Sequence, residues 1–182
     1  MKKVLIHLIA YPAVGKFTVA KELAPLADGL LIDNHLINNV FFSVTDLSKT
    51  LPPQVFGYLN KTYDLLFDYL VSVSPEKPLI MTNCLTDDDN DLSFVERVRS
   101  FCRAAGYRYA PVKLLLGEAE ILKRLPSADR KAKMKLTDEK LFKSFCAKHP
   151  LITKLPEAKE LDVTGLSAAE TARAVLELAA EN

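Results

Sequence analysis

The sequence predicts an α/β fold in which one parallel sheet is covered by helices on both faces. Three observations predict it. The first segment, Lys3–Ala10 (KVLIHLIA), is an almost continuous apolar run, as in a strand buried on both faces. Short apolar runs then alternate with longer stretches whose apolar residues recur at helical spacing, which is the pattern of βαβ units. A chain of 182 residues, 49% apolar and with a net charge of +1, can also bury one sizeable core and lacks the composition of a disordered chain.

The elements follow in order. Lys16–Leu26 places Val19, Ala20, Leu23 and Leu26 on one helical face. Gly29–Asp33 is a short strand that ends in polar residues, and His35–Phe42 reads as a short helix. Pro53–Val73 is the longest helix, opening on prolines suited to a first turn, with Phe56, Leu59, Tyr63, Leu66 and Leu70 as its expected core stripe. A lining for a substrate pocket is the second reading of that stripe. Pro78–Cys84 is a third strand, and Asp91–Ala105 a helix closed by Gly106 in the left-handed cap conformation. Tyr109–Leu116 is a fourth strand, followed by a helix over Glu118–Leu125. Residues 126–136 read as basic and irregular, and Thr137–Lys148 as a helix. Leu161–Thr164 is a short fifth strand. Ser167–Ala180 is a final helix whose Ser167 and Glu170 are spaced as a capping box. No repeat, linker or low-complexity tract interrupts this order, so residues 1–182 read as a single domain.

Several function classes are excluded at this level. Cys84, Cys102 and Cys146 are odd in number and far apart, without zinc-ligand spacing, so they read as apolar thiols in a reducing compartment. No run of 18 apolar residues exists to span a membrane. Lys2 and Lys3 before an apolar run mimic a signal peptide, but His7 interrupts the run, and the expected location is cytoplasmic. Near-neutral charge argues against a dedicated nucleic-acid binder. The charge is uneven, however. Lys123 to Lys148 holds nine basic and three acidic residues, which suits an anionic ligand.

The segment Ala10-Tyr11-Pro12-Ala13-Val14-Gly15-Lys16-Phe17-Thr18 lies between the first strand and the first helix. In that setting successive backbone N–H groups and a helix N-terminus can face an anion, while a lysine reaches the terminal phosphates. The usual pattern is G-x-x-x-x-G-K-[ST]. Here Ala10 replaces the first glycine and Phe17 the hydroxyl residue, with Thr18 one place late. No Asn-Lys-x-Asp guanine reader is present. The D-x-x-G string at Asp162–Gly165 lies too late in the chain to belong to a GTPase.

With Pro12 and Thr18 in place, residues 3–36 resemble the P-loop small-molecule kinases: the shikimate kinases, nucleoside monophosphate kinases and chloramphenicol phosphotransferases. Pro12–Ala24 is closest to uncharacterised shikimate-kinase-like ATPases with loops of the type PAVGKxTVAxELA. The resemblance implies a five-stranded sheet in the order 2-3-1-4-5, use of ATP with Mg²⁺, and transfer of a phosphoryl group to a small hydroxylated or phosphorylated molecule. A nucleotide-binding protein that has lost catalysis is the alternative.

The resemblance also assigns roles. Ala13, Val14, Gly15, Lys16, Phe17 and Thr18 would hold the ATP phosphates. Asp33 would be the acceptor's base, although it is equally placed to cap the next helix. His35 and Asn83 are candidates for substrate contact at the same sheet edge. Residues 124–136 would form a basic lid, with Arg130 and then Arg124 closing on the nucleotide and Lys131, Lys133 and Lys135 following. Residues 36–77 would form the acceptor-side helical region. The run Asp87-Asp88-Asp89-Asn90-Asp91 lacks calcium-loop spacing and reads as a solvated loop with a helix cap. Mg²⁺ would be held mainly by the nucleotide and water, oriented from Thr18, Asp33 or the Asn83 region.

Overall fold

The structure is a computed structural model that describes residues 3–46, 51–132 and 134–181. Lys2, Lys133 and part of the 36–77 region lie outside the described residues. Strands β1 (Val4–Ile9), β2 (Leu30–Asp33), β3 (Leu79–Asn83), β4 (Arg108–Leu115) and β5 (Lys159–Asp162) form one sheet in the order β2-β3-β1-β4-β5. Every pairing is parallel.

The helices interleave with these strands. They are α1 (Lys16–Leu26), α2 (Asn34–Phe42), α3 (Gln54–Val73), α4 (Asp89–Ala105), α5 (Glu118–Arg124), α6 (Ala128–Ala132), α7 (Glu139–Lys148) and α8 (Ala168–Ala180).

All six residues of β1 are buried, and their alternation feeds two cores. Val4, Ile6 and Leu8 meet Val19, Ala20 and Leu23 of α1 and Ala172, Val175 and Ala179 of α8. Leu5 and Ile9 face the aromatic residues of α3 and α4 on the other side. A central strand must be apolar on both faces to do this, which is why the run at 3–10 hardly alternates.

Three readings shift. On α3 the buried stripe is Val55, Leu59, Tyr63, Phe67 and Leu70, whereas Phe56 is 40% exposed. The helix turns so that Phe67 stacks on Phe101 of α4, with ring centroids 5.0 Å apart. β5 begins two residues earlier than its apolar residues suggest. It is an edge strand in which Lys159 pairs in register with Val112, and Glu160 forms an ion pair with Lys113 at 2.6 Å. Within 126–136, residues Ala128–Ala132 form the short helix α6 rather than an irregular stretch.

Caps account for most boundaries. Asp33, Asp88, Asp138 and Ser167 each accept a backbone N–H at a helix start. Ser167 and Glu170 form the expected capping box. Gly106 closes α4 at φ 71°, a left-handed conformation in which a side chain would be strained. No described helix is long and apolar enough to cross a membrane.

Candidate functional site: a cationic cleft at the strand ends

The phosphate loop connects β1 to α1 at the C-terminal edge of the sheet, where open α/β folds place ligands. Ala13 (φ 66°) and Gly15 (φ 113°) both take positive φ. At Gly15 that angle by itself calls for glycine, since the space a Cβ would occupy is open, with Arg124 Nη1 nearest at 4.0 Å. Ala13 holds its conformation without that freedom, at a cost of about 1–2 kcal/mol. The first amides of α1 have no intrahelical acceptor, and they belong to residues that line a cleft of about 730 Å³.

Lys16 donates from Nζ to the carbonyls of Ala10 (2.7 Å) and Tyr11 (3.0 Å), bracing the loop from within. Burial lowers its pKa to about 8; Arg130 and Lys135 push the same way and Asp33 opposes them. Arg124, at the end of α5, donates from Nη1 to Val14 O at 3.2 Å. Arg130 donates from Nε (3.2 Å) and Nη2 (2.7 Å) to Leu136 O, which folds the segment after α6 back on itself. The structure thus brings Lys16, Arg124, Arg130 and Lys135 to one cleft.

Asp33 lines the same cleft and is 7% exposed. It does cap α2: Oδ1 accepts the His35 N–H at 3.2 Å and lies 3.3 Å from the Thr82 hydroxyl. The cap and a place on the cleft wall therefore coexist. His35 is half-buried beside it. Burial, with Lys135 adding to it, lowers the imidazole to about 4, so the ring is neutral near pH 7. Its Nδ1 is buried with no hydrogen-bond partner among the described residues.

Asn83 is a correction. It does not line the cleft. Side chains alternate along β3, so Thr82 and Cys84 reach the cleft while Asn83 turns to the opposite face. There its Oδ1 lies 2.9 Å from His7 Nε2, and His7 Nδ1 lies 2.9 Å from the Tyr109 hydroxyl. A neutral imidazole satisfies both contacts, and full burial lowers His7 to about 4.

Asp87, Asp88 and Asp91 of the acidic run are bonded within the protein. Asp87 accepts from Thr153 N (2.8 Å), Thr153 Oγ1 (2.6 Å) and Lys154 N (3.0 Å). Asp88 caps α4, and Asp91 accepts from Thr86 N at 2.7 Å. No cluster of three metal-ligating side chains occurs among the described residues.

Sequence reasoning missed part of the site. Asn38 and Phe42 extend the cleft beyond Asp33. Val163, Leu166 and Thr171 form its other end, around the Asp162–Gly165 string. Helical spacing could have found Asn38 and Phe42, which share the His35 face of α2. Cys84, beside Lys16, has its thiol pushed up to about 11 by burial and stays protonated. All three thiols are free.

The donors fit a polyphosphate: main-chain amides at a helix start with four surrounding cations. They fit a divalent metal poorly. Position 17 offers a phenyl ring where the pattern has a hydroxyl, the Thr18 hydroxyl stands one place late, and Asp33 is the one carboxylate among the described cleft residues.

No protein-family model matches the sequence. No curated protein matches it either. Solved structures do match. A gluconokinase from Sinorhizobium meliloti 1021 superposes with a TM-score of 0.66 at 14% identity, covering 98% of this chain and 92% of that one. The tunicamycin resistance protein of Deinococcus radiodurans gives 0.61 at 14% identity, with 99% and 97% covered. A shikimate kinase from Acinetobacter baumannii, in complex with shikimate, gives 0.55 at 17% identity, with 96% and 92% covered. Sheet order, phosphate-loop placement and these likenesses agree: the chain has the P-loop small-molecule kinase fold.

Proposed function

We propose that the chain is an ATP-dependent kinase that phosphorylates a small hydroxylated or phosphorylated molecule. The observation that carries this reading is the presence of Lys16 and Asp33 on one cleft, with Arg124, Arg130 and Lys135 around it. The amides of Ala13 to Thr18 and the Lys16 ammonium would hold the β- and γ-phosphates. Lys16 would exchange its bonds to Ala10 O and Tyr11 O for phosphate oxygens. Arg124 and Arg130 would stabilise charge on the transferring group. The end lined by Val163, Leu166 and Thr171 has the apolar character a nucleobase needs. At the opposite end Asp33 would accept the proton of the attacking hydroxyl, with His35 and Asn38 orienting the acceptor.

The test pairs ATP calorimetry with ADP release over a panel of hydroxylated acceptors. Binding together with acceptor-dependent ADP release, both lost in Lys16→Ala, is the expected result. Absence of nucleotide binding in the wild type overturns the reading.

A further inference from the structure

In the phosphate-loop pattern, the residue after the lysine carries a hydroxyl that holds Mg²⁺. In this chain that residue is Phe17, with the Thr18 hydroxyl one place farther along the cleft, and the Phe17 ring holds a cation of another kind. The Lys135 ammonium stands 4.9 Å from the ring centroid, well within the range of about 6 Å for a cation–π contact. Lys21 sits farther out, at 5.8 Å. Phe17 and Lys135 both line the cleft. Burial is the main cause of the lowered pKa of Lys16 and of His35, and the charge of Lys135 adds to it at both.

The other donors point the same way. Four cationic side chains and one carboxylate, Asp33, line the cleft among the described residues. Oδ1 of that carboxylate already accepts the His35 N–H. A divalent ion entering here meets repulsion from several sides, strengthened by the partly desolvated setting. A polyphosphate meets the reverse.

We propose that the Lys135 ammonium, seated on the Phe17 ring beside the phosphate loop, takes the charge-neutralising place of the divalent cation, so that nucleotide binds this chain with little dependence on Mg²⁺. The proposal rests on the nucleotide-binding reading above. It differs from that reading in what it assigns: positive charge that other phosphate loops take from a metal comes here from a side chain. Substituting a serine for the aromatic ring would remove the seat of the ammonium and restore a metal ligand in one step.

The experiment is calorimetric titration of ADP in Mg²⁺ buffer and in EDTA, with thermal melts of each variant. Wild-type affinity is expected to differ by less than about threefold between the two buffers, because a side chain supplies the charge in both. Lys135→Met is expected to lose at least about tenfold in EDTA and to regain much of it in Mg²⁺. Lys135→Arg is expected to keep wild-type behaviour, since a guanidinium also stacks on an aromatic face. Phe17→Ser, which leaves the lysine in the chain, is expected to become Mg²⁺-dependent, and it provides an independent route if Lys135→Met does not fold. A wild type that binds ADP at least about tenfold more weakly in EDTA overturns the proposal. So does a folded Lys135→Met that matches wild type in EDTA. ADP binding in neither buffer is a different failure: it removes the phosphate site itself, and the proposal with it.

Discussion

The cleft and the Asp87–Asp91 run both follow strands that end at the same edge of the sheet, and both are dense in charge. Their charges are spent differently. Three of the four aspartates are bonded to the protein's own donors: Asp87 to residues 153 and 154, Asp88 to the first turn of α4, Asp91 to Thr86. Arg124 and Lys16 are held by main-chain carbonyls instead. Arg124 gives one of its five N–H donors to Val14 O, and Lys16 donates to the loop carbonyls of Ala10 and Tyr11. The bonded carboxylates of the run are consumed by the fold, whereas Asp33 caps α2 and still lines the cleft with the cations. The two regions also touch. Asp87 fastens the segment after α7, where Leu151 N donates to the Tyr11 hydroxyl and that hydroxyl donates to His149 O. The acidic run therefore buttresses the phosphate loop without facing the cleft.

Substitutions should separate these two uses of charge. The largest effect is expected from Asp33→Asn, with turnover falling about 10²–10⁴-fold while the melting temperature and ATP affinity hold, because the amide keeps an oxygen for the His35 N–H. Unchanged turnover would move Asp33 to the structural side of the comparison. Lys16→Ala should weaken ATP binding about a hundredfold, the loss of roughly 3 kcal/mol of charge-assisted bonding, as read by calorimetry. Its two carbonyl partners lie in a loop, so the fold should survive.

Asp91 sharpens the acidic side. Burial raises its carboxyl to about 6 from 3.8, so the folded chain holds a proton that the unfolded chain has already released in that window. Stability is therefore lost as pH rises from 3.8 through 6, and the loss is complete above that, at most about 3 kcal/mol. Asp91→Asn should raise the melting temperature by a few degrees at about pH 7.5 and leave it unchanged at about pH 4. The smallest effect is expected from Asp87→Ala. It should cost about 1 kcal/mol of stability, as a lost cap does, and leave nucleotide affinity within about twofold. A large loss of affinity there would show that the buttress reaches the loop.

Much of the architecture is legible in the amino-acid sequence. Local signals carry it: the doubly buried run at 3–10, the capping box at Ser167, the left-handed position at Gly106 and the Gly15-Lys16 pair at a strand-to-helix junction. Chain-local physics determines these features, because a cap or a positive φ is decided within a few residues. The positions that shift depend on neighbours remote in sequence. Phe67 rather than Leu66 is buried because Phe101 is there to receive it. The edge strand β5 contains Lys159 and Glu160 because only one of its sides is paired.

The site divides in the same way. The sequence alone located the Gly15-Lys16 loop between the first strand and the first helix, the basic segment and a carboxylate at the end of the second strand. Tertiary structure decided which way each side chain turned. Thr82 and Cys84 face the cleft and Asn83 the His7 network, because pleating sends successive residues of a strand to opposite faces and the register with β1 selects which. The seat of Lys135 on Phe17 joins residues more than a hundred positions apart, a contact that only the folded chain creates.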